Sequence, residues 1–402
     1  MKRDELTRRD LFKTAAMATV GVGLVSPRAV AESLHLAKEG AKVPTTELGR
    51  TGKQIPILLM GCSQNFDHSY DKLLHRAYKK GVYYLDGGQL YGNGQTQKAM
   101  GTFVEQIGRE KLWITSKVML FGKNATPDNY RRNFDKMMPD LKMDYLDMFF
   151  LHSVAEPWQL EPEFMKIGVD MKKEGLIRHF GFSCHLGKVV ELMNKAATIG
   201  PDGGIDALMF RYNFTKYGDA ALNKAIDACK EAGIGLLAMK TQASVPDDSK
   251  FVKEFKSDNF TLPQAKLKAV WADDRIDACT SEMTNIQQLE ENTAAAVSPT
   301  QLGMDEFQQL NRFAANTAHE RCQGCDQICE SRVNGDVRIA DTLRFLMYAE
   351  CYGNTTLARQ RYRALTDNER YIDAVQLASA TAACPQGIDI AGRLEVARAR
   401  LA

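Results

Sequence analysis

From Ile57 onward the chain alternates short apolar runs with longer segments in which apolar residues recur every three or four positions. The runs are Ile57–Gly61, Val82–Asp86, Leu112–Val118, Tyr145–His152, Ile177–Ser183, Ala207–Tyr212, Ile234–Met239 and Asp277–Ser281. Between and after them, Tyr70–Lys80, Gln97–Ile107, Pro127–Leu141, Glu161–Glu174, Lys188–Ala197, Ala220–Ala232, Pro263–Ala272 and Asn285–Ala296 have helical period. Strand starts fall roughly thirty residues apart, which suits one βα unit. Eight such units in about 250 residues predict an α/β fold, a (β/α)8 TIM barrel over residues 45–300; a doubly wound open sheet more often stops at five or six strands. Beyond it Gln308–Ala318, Ala340–Tyr352 and Thr356–Leu365, the last with a run of arginines, are again helical. Residues 301–402 therefore read as a small, mainly α-helical module.

The first 31 residues follow a different pattern. Thr7-Arg-Arg-Asp-Leu-Phe-Lys13 precedes an apolar stretch, Thr14–Val25, and Ala29-Val-Ala31 closes it. Charged, apolar and small-residue regions in that order predict a secretory signal. The stretch is well short of the ~20 residues that cross a bilayer as a helix, so no stable membrane span is expected. Arg8-Arg9 with Phe12 and Lys13 resembles the bacterial twin-arginine signal, which exports proteins already folded and predicts a periplasmic or other extracytoplasmic location. Cleavage after Ala31 removes six basic and three acidic side chains and turns the net charge from +2 to −1. Neither value supplies the basic face that a nucleic-acid partner requires. With 44% hydrophobic and 25% charged residues, disorder, collagen and multi-span membrane classes are excluded.

A TIM barrel carries its chemistry where the strands end. Asp86 ends the second run, Lys117 the third and His152 the fourth, and Tyr91 stands five residues past Asp86. Singly, each suits a structural job: a capping Asp, a surface Lys, a satisfied core His, a rim Tyr. Together at adjacent strand ends they would bring acid, cation, carboxylate and neutral hydrogen-bond donor to one mouth. Asp86 with Tyr91-Gly92, Thr115-Ser116-Lys117 and Phe149-Phe150-Leu151-His152 resemble the catalytic tetrad of the aldo-keto reductases, and the resemblance runs from about Thr46 to about Val297. Glu47-Leu-Gly-Arg-Thr-Gly, Gly181-Phe-Ser-Cys-His, Arg211-Tyr-Asn and Leu289-Glu-Glu-Asn292 sit where that family has its first hairpin and cofactor-contacting segments.

The resemblance implies hydride transfer between a nicotinamide cofactor, bound without a Rossmann domain, and the carbonyl carbon of a small aldehyde, ketone, quinone or sugar, or the reverse from an alcohol. Reduction leaves charge on oxygen, and a phenol with a pKa of ~10 is a weak donor unless its anion is favoured. Lys117 is expected to favour it, with Asp86 holding that ammonium and His152 orienting the carbonyl. Ser183 and Asn213 would meet the nicotinamide amide, Glu291 and Asn292 the adenine, and Lys240 the pyrophosphate or 2′-phosphate. Met209 replaces a Gln that commonly holds the carboxamide, and Gln288 an Arg that commonly grips the 2′-phosphate. NADP is the family default, and the missing guanidinium leaves NAD open.

Nine cysteines are too few for a disulfide scaffold, yet Cys322-x2-Cys325-x3-Cys329 and, after 54 intervening residues, Cys384-Pro385 cluster in the tail. Thiolates at such short spacings converge on one centre. The pattern resembles the ferredoxin-like tail of a subset of aldo-keto reductases and implies one [4Fe-4S] cluster on those four residues. Zinc would accept the same ligands, and an exported protein could instead form disulfides. Cys351, inside a helical stretch, is read as core, as are Cys62, Cys184, Cys229 and Cys279. Signal and cysteines agree, since an iron–sulfur centre is assembled before export. An electron-transfer partner for the cluster follows as an expectation. The competing reading is an exported iron–sulfur electron-transfer protein whose barrel is a cofactor-binding scaffold.

Overall fold

Strand parity organises the barrel. In the computed structural model, which describes residues 40–402 apart from 64, 65, 67, 121, 186, 187, 244, 246–248 and 371–373, eight parallel strands close on themselves. They are β3 (Leu58–Gly61), β4 (Tyr84–Asp86), β5 (Trp113–Val118), β6 (Leu146–Leu151), β7 (Ile177–Cys184), β8 (Ala207–Arg211), β9 (Gly235–Met239) and β10 (Ala278–Glu282), and β10 pairs with both β9 and β3. Successive side chains of a strand point to opposite faces. Tyr84, Trp113, Met148, Phe150, Ala207, Met209, Leu237 and Ala278 accordingly fill the interior, while Leu85, Ile114, Phe149, Leu151, Leu208 and Leu236 meet the outer helices. That double burial is why the runs are continuously apolar. Gly181 is dictated by close approach, because a Cβ there would lie 1.8 Å from the Ala207 carbonyl oxygen on β8.

A hairpin, β1 (Thr45–Glu47) paired with β2 (Gln54–Pro56), closes the amino-terminal end. Leu48 and Ile55 join the interior cluster, and the Gly49 amide donates to Asp277 at 3.1 Å. The outer layer is α1 (Asp71–Lys79), α2 (Gln95–Ile107), α3 (Pro127–Leu141), α4 (Pro162–Lys173), α5 (Val189–Ile199), α6 (Ala220–Glu231), α7 (Leu262–Trp271) and α8 (Ile286–Val297). Sequence logic sets their ends. Thr126 accepts from the Asn129 amide and Pro127 occupies the first turn of α3, a position that has no intrahelical N–H bond to lose.

Just past the boundary expected at residue 300, α9 (Met304–Asn316) packs its Leu310 and Phe313 with Phe214, Phe260, Ala265 and Ala269 of the barrel. The remaining tail has α10 (Asp326–Cys329), α11 (Ile339–Cys351), α12 (Thr355–Arg363), α13 (Asp367–Arg370), α14 (Ala374–Ala383) and α15 (Ile390–Leu401), and its described residues contain no strand. Two small cores hold it: Val337, Ile339, Leu343, Ala380, Ile388 and Ile390 in one, Phe345, Leu346, Tyr362, Ala397 and Leu401 in the other. Among the described residues no helix is long and apolar enough to cross a membrane. The predicted signal, residues 1–31, lies outside the described residues.

Candidate active site

The parity that fills the barrel also aims its mouth residues. Asp86 shares the inward face of Tyr84, Lys117 that of Trp113, and His152 follows Met148 and Phe150 on the same face. The four residues singled out in the sequence converge there. Lys117 Nζ lies 2.6 Å from Asp86 Oδ1, donates to the Gly87 carbonyl at 2.7 Å and reaches the Tyr91 hydroxyl at 3.5 Å. Tyr91 enters on the short turn Tyr91–Gly94 after β4, and its ring meets His152 edge-on with centroids 5.6 Å apart. Asp86, Lys117 and His152 are all buried.

Burial, then the Asp86 and Glu282 carboxylates, push the Tyr91 phenol well above its ordinary value, while the Lys117 ammonium, itself bonded to Asp86 and Gly87, stands 3.5 Å from its hydroxyl. His152 goes the opposite way. Burial, followed by Lys117, Arg361, Arg344 and Lys240, holds its imidazole well below the usual range, so it is neutral. Its Nδ1 is buried with no hydrogen-bond partner among the described residues, as is Arg211 Nε. A bound cofactor or substrate would meet such a deficit.

The expected cofactor residues divide in two. Ser183, Asn213 and Lys240 stand at the mouth: Ser183 Oγ accepts from the Ser153 amide at 3.0 Å, and Asn213 Nδ2 donates to the Lys240 carbonyl at 2.8 Å. Both contacts secure residues in left-handed backbone, Ser153 at φ 61° and Lys240 at φ 59°, conformations that persist only where the surroundings fix them. Lys240 Nζ lies over the ring of Tyr352, 4.8 Å from its centroid. Glu291 and Asn292 are on α8 and engage Thr261 and Ser281. Gln288 is exposed and accepts from the Thr284 amide, and Met209 is interior.

The tail covers the mouth. A cavity of about 750 Å³ has Tyr91 and His152 on one wall and Arg344, Tyr348 and Arg361 on the other. Sequence reading missed these residues of α11 and α12, although the arginine run was in view. Arg211 ties the two parts together, its guanidinium donating to the Cys322 carbonyl at 2.9 Å.

Cys322, Cys325, Cys329 and Cys384 are brought together as free thiols around one cavity. Burial pushes Cys322 up to about 11 and Cys329 up to about 12, which keeps these thiols neutral in the absence of a cation. Among the described residues no group of three or more His, Cys, Asp or Glu is placed to hold a metal ion. Cys351 departs from its expected core position, for it is half-buried and lines a cavity with Arg211, Lys240 and Cys322. Cys62, Cys184, Cys229 and Cys279 are buried.

An eight-stranded barrel with a buried Asp–Lys pair, a phenol and a neutral imidazole at its mouth defines a class, the NAD(P)-dependent oxidoreductases built on a TIM barrel. The chain belongs to the aldo/keto reductase family, whose sequence profile matches residues 60–264. It is 21% identical over 298 residues to the L-galactose dehydrogenase of Arabidopsis thaliana, covering 66% of this chain and 92% of that protein. It is 30% identical over 116 residues to an NAD(P)H-dependent D-xylose reductase of Candida tropicalis, a match that spans 27% of this chain and about a third, 34%, of that protein's length. An aldo-keto reductase of Bacillus halodurans shares the fold with a TM-score of 0.56 at 18% identity, over 67% of this chain and 96% of that one.

Proposed function

We propose that the chain reduces a small carbonyl compound to its alcohol, or runs the reverse, with Tyr91 as the proton donor. The convergence of Tyr91, Lys117, Asp86 and His152 at one end of a closed barrel carries this reading. Bound at Ser183, Asn213 and Lys240, a nicotinamide dinucleotide supplies the hydride. The phenol, pushed up by burial, stays protonated at neutral pH and gives its proton to the carbonyl oxygen. Neutral His152 orients that oxygen, and Lys117, held by Asp86, offsets its developing charge. The sugar-acting names of two relatives make aldoses the first substrates to try. NADP or NAD is decided by titrating both, since Gln288 offers no guanidinium for a 2′-phosphate.

The decisive experiment is a carbonyl screen with NADPH and NADH on wild type and Tyr91→Phe. Turnover is expected to fall by about 10²–10⁴-fold in the variant while nicotinamide binding persists. A substantial residual rate overturns the role of Tyr91.

The same proposal assigns Cys322, Cys325, Cys329 and Cys384 to a [4Fe-4S] cluster and the twin arginines to export of the folded, loaded chain. Four thiols around one cavity support it. Zinc would take the same four thiolates, and colour tells the two apart. Brown protein with broad absorption near 400 nm, bleached by dithionite, is the expected result, and a colourless zinc-loaded preparation made without oxygen overturns it. If turnover is unchanged with all four cysteines replaced and the fold kept, the tail is structural and no electron relay to a partner exists.

A further inference from the structure

The cavity over Tyr91 and His152 is unevenly charged. Its wall carries three carboxylates, and each is already matched: Asp341 pairs with Arg344, Glu369 with Arg338 at 3.6 Å, and Glu156 with Lys188 at 2.5 Å. Two cations on the same wall are not. Among the described residues neither Arg361 nor Lys240 forms an ion pair, and the Lys240 ammonium donates to the Tyr352 hydroxyl at 3.4 Å. Lys240 follows β9 and is walled in by the faces of Tyr348 and Tyr352, whereas Arg361 comes from α12, across the cavity from the phenol. A half-buried guanidinium without an anion carries a desolvation cost that a ligand can offset. The neighbouring Arg344 adds to that cost, and Arg361 is accordingly held below its ordinary pKa.

We infer that the substrate is a carbonyl compound bearing an oxyanion, a carboxylate or phosphate, which the unpaired Arg361 of the tail holds, with the Asp341-paired Arg344 beside it, while Tyr91 and His152 meet the carbonyl. The inference rests on the reductase reading and adds a substrate class to it. It also gives the tail a task, since the anion-binding wall exists only because α11 and α12 cover the mouth. A planar guanidinium fork suits either oxyanion, and size separates the two.

The test compares matched pairs on the full-length protein with NADPH: 4-carboxybenzaldehyde against benzaldehyde, and glyceraldehyde 3-phosphate against glyceraldehyde. At least one charged member is expected to be preferred by about tenfold or more in kcat/KM, mostly through KM. Arg361→Gln is expected to erase most of that preference, and Arg361→Lys to keep part of it. No preference in wild type, or one that survives in both Arg361→Gln and Arg344→Gln, overturns the inference. So does a parallel loss of NADPH affinity in Arg361→Gln, which would assign these cations to the cofactor's phosphates. If wild type reduces no carbonyl at all, the reductase reading falls first, and calorimetry still tests the anion site. Binding of 4-(hydroxymethyl)benzoate about tenfold weaker to Arg361→Gln than to wild type supports the site, and equal binding removes it.

Discussion

The barrel and the tail solve the same packing problem at different scales. In the barrel one closed ladder gives every strand two buried faces, and the interior and outer cores draw on residues from Val43 to Ala296. The tail has two small clusters and a set of thiols around a cavity. A closed barrel tolerates a buried ion pair at its end because the surrounding ladder fixes both partners. The tail's two clusters are each far smaller than the barrel's, and small cores commonly rely on a further staple. Position in the barrel is thus set by strand register, and position in the tail by what its side chains touch.

Lys117→Met breaks the barrel's half of that contrast most severely. It leaves Asp86 buried without its cation, so a loss of about 3–5 kcal/mol in stability is expected along with loss of turnover. Asp86→Leu added to Lys117→Met removes the orphaned charge and is expected to restore most of the stability and none of the activity. Denaturant melts and steady-state rates on both variants check this; parallel recovery of stability and rate would mean that the pair is a structural prop alone.

The tail responds to a smaller insult and should do so locally. Ile390 is almost fully buried in the cluster beside the thiols, and Ile390→Ala is expected to cost about 2–4 kcal/mol. Limited proteolysis should then clip within residues 320–402 while the barrel's melting transition stays in place. A barrel that melts earlier by the same amount would show that the two regions fold as one cooperative unit.

The same contrast decides what could be read from the sequence. Each of the eight strands lies within two residues of its apolar run at both ends, because a strand buried on both faces writes a continuous signal. Asp86, Lys117 and His152 were legible because parity from the interior residues Tyr84, Trp113 and Phe150 carries them to the mouth. Arg344, Tyr348 and Arg361 were not. No period relates a helix to a strand end some 190 residues earlier, and docking of α11 and α12 over the mouth is a tertiary event that local pattern does not encode. Cys351 was misplaced for the same reason: helical period gives a face, and only the docked partner says whether that face is core. The Tyr91 phenol shows a further gap, since spacing places Lys117 near it and only coordinates show the burial and the Glu282 carboxylate that push it up.

The two regions also meet electrostatically, and this gives the smallest expected effect. His152 belongs to the barrel, yet after burial and Lys117 the charges that hold it neutral include Arg361 and Arg344 of the tail. Its folded pKa is below the unfolded value of about 6.5, so below that pH the unfolded chain binds a proton that the folded chain refuses. The neutral state's stability is therefore present above about pH 6.5 and is lost as pH falls, by about 1 kcal/mol per histidine over the first unit below it. His185 and His179 are shifted in the same direction and add their own shares. His152→Asn should remove one such share from the drop between about pH 6.5 and 5.5, each stability being referred to that variant's own value near pH 7.5. Denaturant midpoints at three pH values measure it, and an unchanged drop in the variant would mean that His152 takes up its proton in the folded state despite the cations above it.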